Sequence, residues 1–298
     1  MLYVAQTALE LGFQYALVAM ALFLSYRILD IADLTVDGSL GTGGAVCIML
    51  MLSGQNVWVA MAGATAAGMA AGLATGILHT FMGIPAILAG ILTQLGLYSI
   101  NLKTMGKANQ AINVDKYDLL VSLRFIRKVP FYKNTILIVA IAIILLIVVL
   151  YWFFGTELGC SLRATGCNDK MARAQGINTD FNRVLGLMIS NGLVALSGAM
   201  LCQYQGFADI NMGRGAIVIG LAAVIIGEAI FGKVFRNFGF KLLAVALGSI
   251  IYYLVLQVVI WLGIDTDLLK LLSAGVVAVF LAIPTWKSRY FSNMGKRG

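Results

Sequence analysis

The chain has 298 residues, of which 60% are hydrophobic and only 11% charged, whereas soluble domains carry about a quarter charged residues. That composition excludes a water-soluble globular protein and indicates an integral membrane protein. The formal net charge of +8 does not signal nucleic acid, because the bases fall between apolar segments and at the tail instead of on a soluble domain.

In chain order, apolar segments are expected to cross the membrane near 8–26, 44–53, 57–78, 83–100, 135–154, 184–202, 216–231, 242–262 and 268–283. Those at 44–53, 216–231 and 268–283 are short. The clearest is "TILIVAIAIILLIVVLYWFF", Thr135 to Phe154, with the roughly 20 apolar residues that a helix needs to cross a ~30 Å hydrocarbon core. The expected fold is all-α and polytopic, with about nine transmembrane helices. The first segment lacks a basic leader and a small-residue cleavage site, so it is not read as a removable signal peptide.

Basic short loops mark the cytoplasmic side. Arg163, Lys170, Arg173 and Arg183 fall in one connection, Lys233, Arg236 and Lys241 in another, and Lys287, Arg289, Lys296 and Arg297 in the tail. All lie on one side of the expected spans, and the acidic "GIDTD", Gly263 to Asp267, lies opposite. The C-terminus is therefore expected inside and the N-terminus outside. The connection 102–134 violates the rule, being placed outside while carrying seven bases against Asp115 and Asp118. Either other loops fixed the orientation, or this basic segment docks an extracellular partner.

"IADLTVDGSLGTGGAV", from Ile31, has a partial echo in "FADINMGRGAIVIGLAAV", from Phe207. Each has Ala-Asp, then an aliphatic residue, then a polar Gly-rich run leading into an apolar segment. The expected organisation is a first four-helix repeat over 8–101, an extracellular connection 102–134, a linking span 135–154, a cytoplasmic segment 159–183, a second repeat 184–283 and a tail 284–298. Five crossings separate the two Asp positions, so the repeats would be inverted, a plan in which broken helices face a substrate path.

Gly38, Gly41, Gly43 and Gly44 then suggest a discontinuous helix, with Thr35, Ser39 and Thr42 satisfying freed backbone groups and counting among the candidates that line the path. Asp33 and Asp37 either line a path or cap the restarted helix. Glu228 either faces the bundle interior or sits near an interface. Asn191, Gln203, Asp209 and Asn211 are the other path candidates, with Gln205 beside them, against a plain role in helix–helix hydrogen bonding. Cys47, Cys160, Cys167 and Cys202 have no metal-like spacing and read as small apolar residues. His79 reads as a loop residue. No P-loop or dinucleotide motif occurs, so no cofactor is expected in this chain.

The most specific stretch is "GCSLRATGCNDKMARAQGINTDFNRVLGLMISNGLVALSGAM", Gly159 to Met200. With Leu162-Arg163, Gly166, Asn168, Ala172 and Gly176-Ile177, followed by a span, it resembles the membrane permeases of ABC importers of the branched-chain amino acid and ribose type. "GFQYALVAMAL", Gly12 to Leu22, resembles their first conserved span, and the resemblance covers nearly the whole chain. Cys167 and Asp169-Lys170 depart from the commoner letters. "DLTVDGS", Asp33 to Ser39, looks like the subgroup assigned to aromatic amino acids, tryptophan or tyrosine.

The resemblance implies a prokaryotic plasma-membrane permease with no catalytic or metal site of its own. It implies a cytoplasmic ATP-binding subunit carrying ATP-Mg, an extracellular or periplasmic substrate-binding protein, a second permease copy forming a homodimer, and surrounding lipid. Leu162, Arg163, Gly166, Asn168, Ala172, Arg173 and Gly176 would belong to the coupling helix that docks on the ATPase. The other readings are a self-sufficient secondary transporter or channel, ion-coupled through Glu228, Asp33 or Asp209, and an intramembrane enzyme. A secondary transporter has no need of a docking helix, and no nucleophile–base or metal constellation supports an enzyme.

Overall fold

The computed structural model describes residues 2–112, 119–120, 135–232, 234–235 and 237–262, with scattered positions between 271 and 282. The helices are α1 (Leu2–Leu22), α2 (Thr35–Leu52), α3 (Val57–Thr80), α4 (Ala86–Met105), α5 (Thr135–Gly155), α6 (Glu157–Cys167), α7 (Asp169–Ala174), α8 (Thr179–Gln205), α9 (Ala216–Phe231) and α10 (Phe238–Trp261). Two short strands, β1 (Asn109–Ala111) and β2 (Phe207–Asp209), complete it. Seven of the described helical segments are long and apolar enough to span a membrane, and α9 is a shorter apolar helix. The molecule is a nearly all-α polytopic membrane protein. The expected span at 268–283 and the basic tail fall mostly or wholly outside the described residues, as do Lys233, Arg236 and most of 113–134.

The connections sort to two ends. At one end lie 29–34, the α3–α4 turn, the whole of α6 and α7, and the α9–α10 turn. At the other lie the α2–α3 turn and the paired strands. β1 and β2 run antiparallel with Asn109 opposite Asp209 and Ala111 opposite Phe207, so the start of the 102–134 connection is tied to the loop after α8. Three-residue strands leave no alternating pattern long enough to be read in a sequence.

Helix packing follows a partner exchange. α3 lies along α8 and α10 lies along α1; α2 packs on α3 and α8, while α9 packs on α10 and α1. Contact is close because the interfaces are lined by small residues, as expected where both lipid and helix are apolar and only fit discriminates. At Gly43 a side chain would strike the Ala195 backbone, and at Gly198 it would strike the carbonyl of Leu40. Leu17, Met20, Leu22, Leu40, Leu187, Leu201 and Leu242 form the interior. α5 instead exposes Ile144, Leu145, Val148 and Trp152, an apolar surface suited to lipid.

The chain does break after the first span, but at 29–34 and not through the glycines. α1 ends in a π-helical turn, Phe23–Ile28, with Asp30 in the left-handed region at φ 56°. α2 then starts at Thr35, well before position 44, and holds Gly38, Gly41, Gly43 and Gly44 inside a continuous 18-residue helix. Glycine was read as a helix breaker, whereas between membrane helices it allows backbones to touch. The coupling segment, expected as one short helix, is two, α6 and α7, hinged at Asn168.

Candidate functional site

The break at 29–34 descends into the bundle. Asp33 Oδ1 accepts from the Thr35 amide at 2.9 Å, holding the turn into α2, and Oδ2 accepts from Asn191 Nδ2 at 2.6 Å. Asn191 Oδ1 in turn accepts from Ser39 Oγ at 2.6 Å. A second chain runs from Thr35 Oγ1 to Thr75 Oγ1 at 2.7 Å and on to Thr93 Oγ1 at 2.9 Å. All six residues are buried, and the two chains tie α2 to α3, α4 and α8. Asn191 stands about midway along α8, whose 27 residues rise about 40 Å. Asn191, through which the first chain runs, is thus far from both ends of α8.

The second break, between β2 and α9, begins alike. Asp209 Oδ1 accepts from the Asn211 amide at 2.7 Å, the same side-chain turn that Asp33 makes with Thr35. From there the chain also descends, and Gly213 abuts the carbonyl of Asp37. Gly215, at φ 90°, turns the chain into α9. Asp37 caps that helix from another element: its oxygens accept from the amides of Gly215 and Ile217, both at 3.0 Å. Broken helices that face a substrate path would stand on opposite sides of it. Here the two breaks touch, and a carboxylate of the chain itself already occupies the positive end of α9.

The remaining path candidates are dispersed. Thr42 Oγ1 bonds the Gly38 carbonyl at 3.0 Å within α2, and Thr42 lines an apolar groove of about 510 Å³ between α2, α3 and α4. Gln203, buried, accepts from the Leu120 amide and reaches Cys47 Sγ. Asn211 is exposed. Glu228 pairs with Arg27 at 3.0 Å at the α6–α7 end, both side chains partly exposed, so it takes the interfacial alternative. Cys47 and Cys202 are buried, whereas Cys160 and Cys167 are exposed and so are not the buried apolar residues expected. His79 belongs to the last turn of α3 and bonds the Ile84 carbonyl at 2.8 Å.

Sequence inspection missed Thr75 and Thr93, and also Glu10, fully buried with Oε2 accepting from Tyr204 at 2.8 Å. It also missed a pocket of about 220 Å³ lined by Asp37, Gly38, Gln94, Leu95, Tyr98, Asn101, Ile210 and Arg214. A single Arg between glycines just ahead of a short apolar run, in "GRGAIVIG", was the available signal.

At the far end, α6 and α7 are built as a braced surface feature. Thr156 caps α6, and Asn168 caps α7 by accepting from the Met171 amide at 3.1 Å. Leu162 and Ala172 point inward, and Gly166 lies against the Ile28 carbonyl with no room for a side chain. Arg163 donates to the Phe154 carbonyl at 2.7 Å and lies over the Phe238 ring. Arg173 donates to Thr179 at 2.7 Å and Asp180 at 3.0 Å, and Arg183 joins Asp169 at 3.3 Å. Gly176, at φ 81°, turns the chain toward α8. Lys170, Met171, Ala174 and Gln175 are left facing outward. A cleft of about 500 Å³ separates this segment from the 29–32 turn and the start of α4.

The family model for the branched-chain amino acid transport system permease component matches residues 5–287. The chain is 37% identical to the tyrosine transport system permease protein of Clostridioides difficile (strain R20291), over 90% of this chain and 86% of that one. It is 27% identical to the fructose import permease protein of Bifidobacterium longum (strain NCC 2705), over 98% and 80%. With the autoinducer 2 import system permease protein of Yersinia pestis (strain Pestoides F) it shares 31% identity over 64% and 54%. No solved structure matches.

Proposed function

The chain belongs to the family of branched-chain amino acid transport system permease components and is the permease of an ABC importer, and from that premise we propose that its solute is an aromatic amino acid. The observation that carries the choice is the similarity to a tyrosine permease over nine-tenths of the chain. Relatives named for fructose and autoinducer 2 align at lower identity.

In this proposal the chain works as one of two identical copies in a prokaryotic plasma membrane. A cytoplasmic ATPase holds ATP-Mg, and a substrate-binding protein delivers solute from outside. The α6–α7 end is cytoplasmic, which the bases Arg27, Arg163, Lys170, Arg173, Arg183 and Lys241 gathered there support. α7 and its outward Lys170 and Met171 form the ATPase contact, with Arg163, Gly166, Ala172 and Arg173 holding it in place. Rotation of this braced segment by the ATPase reaches the interior directly, because Gly166 presses on the end of the first span, next to the break leading to Asp33.

Inverted repeats are part of the same proposal. The partner exchange supports them: what α3 is to α8, α10 is to α1, and Asp33 and Asp209 open the two breaks with the same turn. Alternating access then amounts to the tied group α2, α3, α4 and α8 rocking against α1, α9 and α10 around the contact of Asp37 with α9.

The testing experiment is affinity purification of the detergent-solubilised chain from its own membranes. Co-purification of an ATPase, with ATP hydrolysis in the complex and none in the chain alone, is expected. Uptake by the chain alone, driven by an ion gradient, would establish the secondary-transporter alternative.

A further inference from the structure

The pocket beside Asp37 is the most informative unassigned feature. It lies where the two breaks meet, within one turn of α2 from Ser39, which bonds Asn191, and hence near mid-length of α8. Arg214 stands there on the descending turn, exposed to the pocket, and its guanidinium has no hydrogen-bond or ion-pair partner among the described residues. An Arg at membrane depth costs about 2.5–3.5 kcal/mol or more unless it faces a wet cavity or a partner. The neighbouring Asp33, Thr35, Ser39, Thr75, Thr93 and Asn191, by contrast, have their partners within the protein.

The lining has complementary chemistry. Arg214 offers a planar fork of donors that suits a carboxylate. Across the pocket, Asp37 uses one lone pair of each oxygen on the α9 amides and keeps others free to accept from an ammonium. Leu95, Ile210 and the half-exposed ring of Tyr98 supply apolar and aromatic surface between them. Asn101 lines both this pocket and the apolar groove of about 510 Å³ next to it, so a polar head and an apolar tail have adjoining places. At about 220 Å³ the pocket is smaller than the roughly 300–1,000 Å³ of drug-sized ligand sites, which suits a single amino acid.

We propose that Arg214, Asp37 and Tyr98 form a transient α-amino-acid site in the permease itself, Arg214 taking the carboxylate, Asp37 the ammonium and Tyr98 the side chain. The inference rests on the amino-acid reading above and deepens it. A site of this kind would make the permease a second filter after the binding protein, rejecting analogues that lack either charge.

The test is binding of tritiated L-tyrosine to the purified permease–ATPase complex without its binding protein, beside uptake by the complete system. Saturable binding is expected, displaced by unlabelled L-tyrosine, with tyramine, which lacks the carboxylate, competing at least about tenfold less well. Arg214→Ala should weaken binding about tenfold or more, the scale of a lost hydrogen bond to a charged group, with Arg214→Lys intermediate. Should Arg214→Ala fail to assemble, Arg214→Lys and the analogue series on the wild-type complex decide. Equal competition by tyramine, unchanged binding in the Arg214 variants, or no binding by a complex that imports tyrosine would overturn the site and leave the importer reading standing. A wild-type system that imports no amino acid would overturn the importer's solute class, and this site with it.

Discussion

The centre of the bundle and its α6–α7 end use polar residues in opposite ways. In the centre, Asp33, Asn191, Ser39, Thr35, Thr75 and Thr93 are buried and bonded to one another, so each is a fixed joint between helices. At the end, Arg173, Asp169, Asp180 and Arg183 pair in partial exposure, where an ion pair contributes about 0–1 kcal/mol. Burial decides the consequence: an orphaned group in the centre loses its partners and has no water to replace them. Solvent forgives the same loss at the end. A permease needs both, an interior that moves as rigid groups of helices and a surface segment that a partner can grip.

The comparison can be broken most severely at Gly43. A leucine there would have to displace the Ala195 backbone, so Gly43→Leu is expected to prevent the chain from accumulating in the membrane, read by quantitative immunoblot. Normal abundance with blocked uptake would mean that this glycine lines a pathway and not a helix interface.

Asp33→Ala comes next. It leaves the Thr35 amide without its acceptor and Asn191 Nδ2 with only its bond to the Leu187 carbonyl at 3.0 Å, an orphaned buried group costing about 1–3 kcal/mol, and should lower the melting temperature of the detergent-solubilised complex by several degrees. Asn191→Leu should do the same, and the double variant should lose less than the sum, because the two remove one shared bond. Unchanged stability with lost transport would move Asp33 from joint to pathway.

Arg173→Ala sharpens the contrast at the other end. Its stability effect is expected within about 1 kcal/mol, yet α7 loses its ties to Thr179 and Asp180, so solute-stimulated ATP hydrolysis should fall severalfold at unchanged melting temperature. The smallest effect is expected for Arg27→Ala. Its exposed pair with Glu228 should be worth about 0.2–1 kcal/mol and be screened by salt, as thermal shifts at low and high ionic strength would register.

Much of this was legible beforehand and some was not, for identifiable reasons. Spans such as Thr135–Gly155 announce themselves by sheer apolar length. The start of α2 was misjudged because glycine weakens an isolated helix but tightens a packed one. Asp33 was recognised as unusual, but its partner Asn191 lies 158 positions away, and no local pattern pairs them. Asp37 was seen as a possible cap of its own helix, yet it caps α9, a contact that only the fold creates. Arg214 went unnoticed because a lone base near a loop reads as solvated. It gains meaning only from the depth at which the turn places it.

ATP-driven uptake of labelled L-tyrosine into proteoliposomes carrying the permease and ATPase, with the binding protein outside, tests the central claim most directly. Accumulation that requires hydrolysable ATP and the binding protein, and that excess L-phenylalanine or L-tryptophan suppresses while fructose does not, is the expected result. Accumulation without ATP under an imposed ion gradient, or suppression by fructose and not by amino acids, would contradict it.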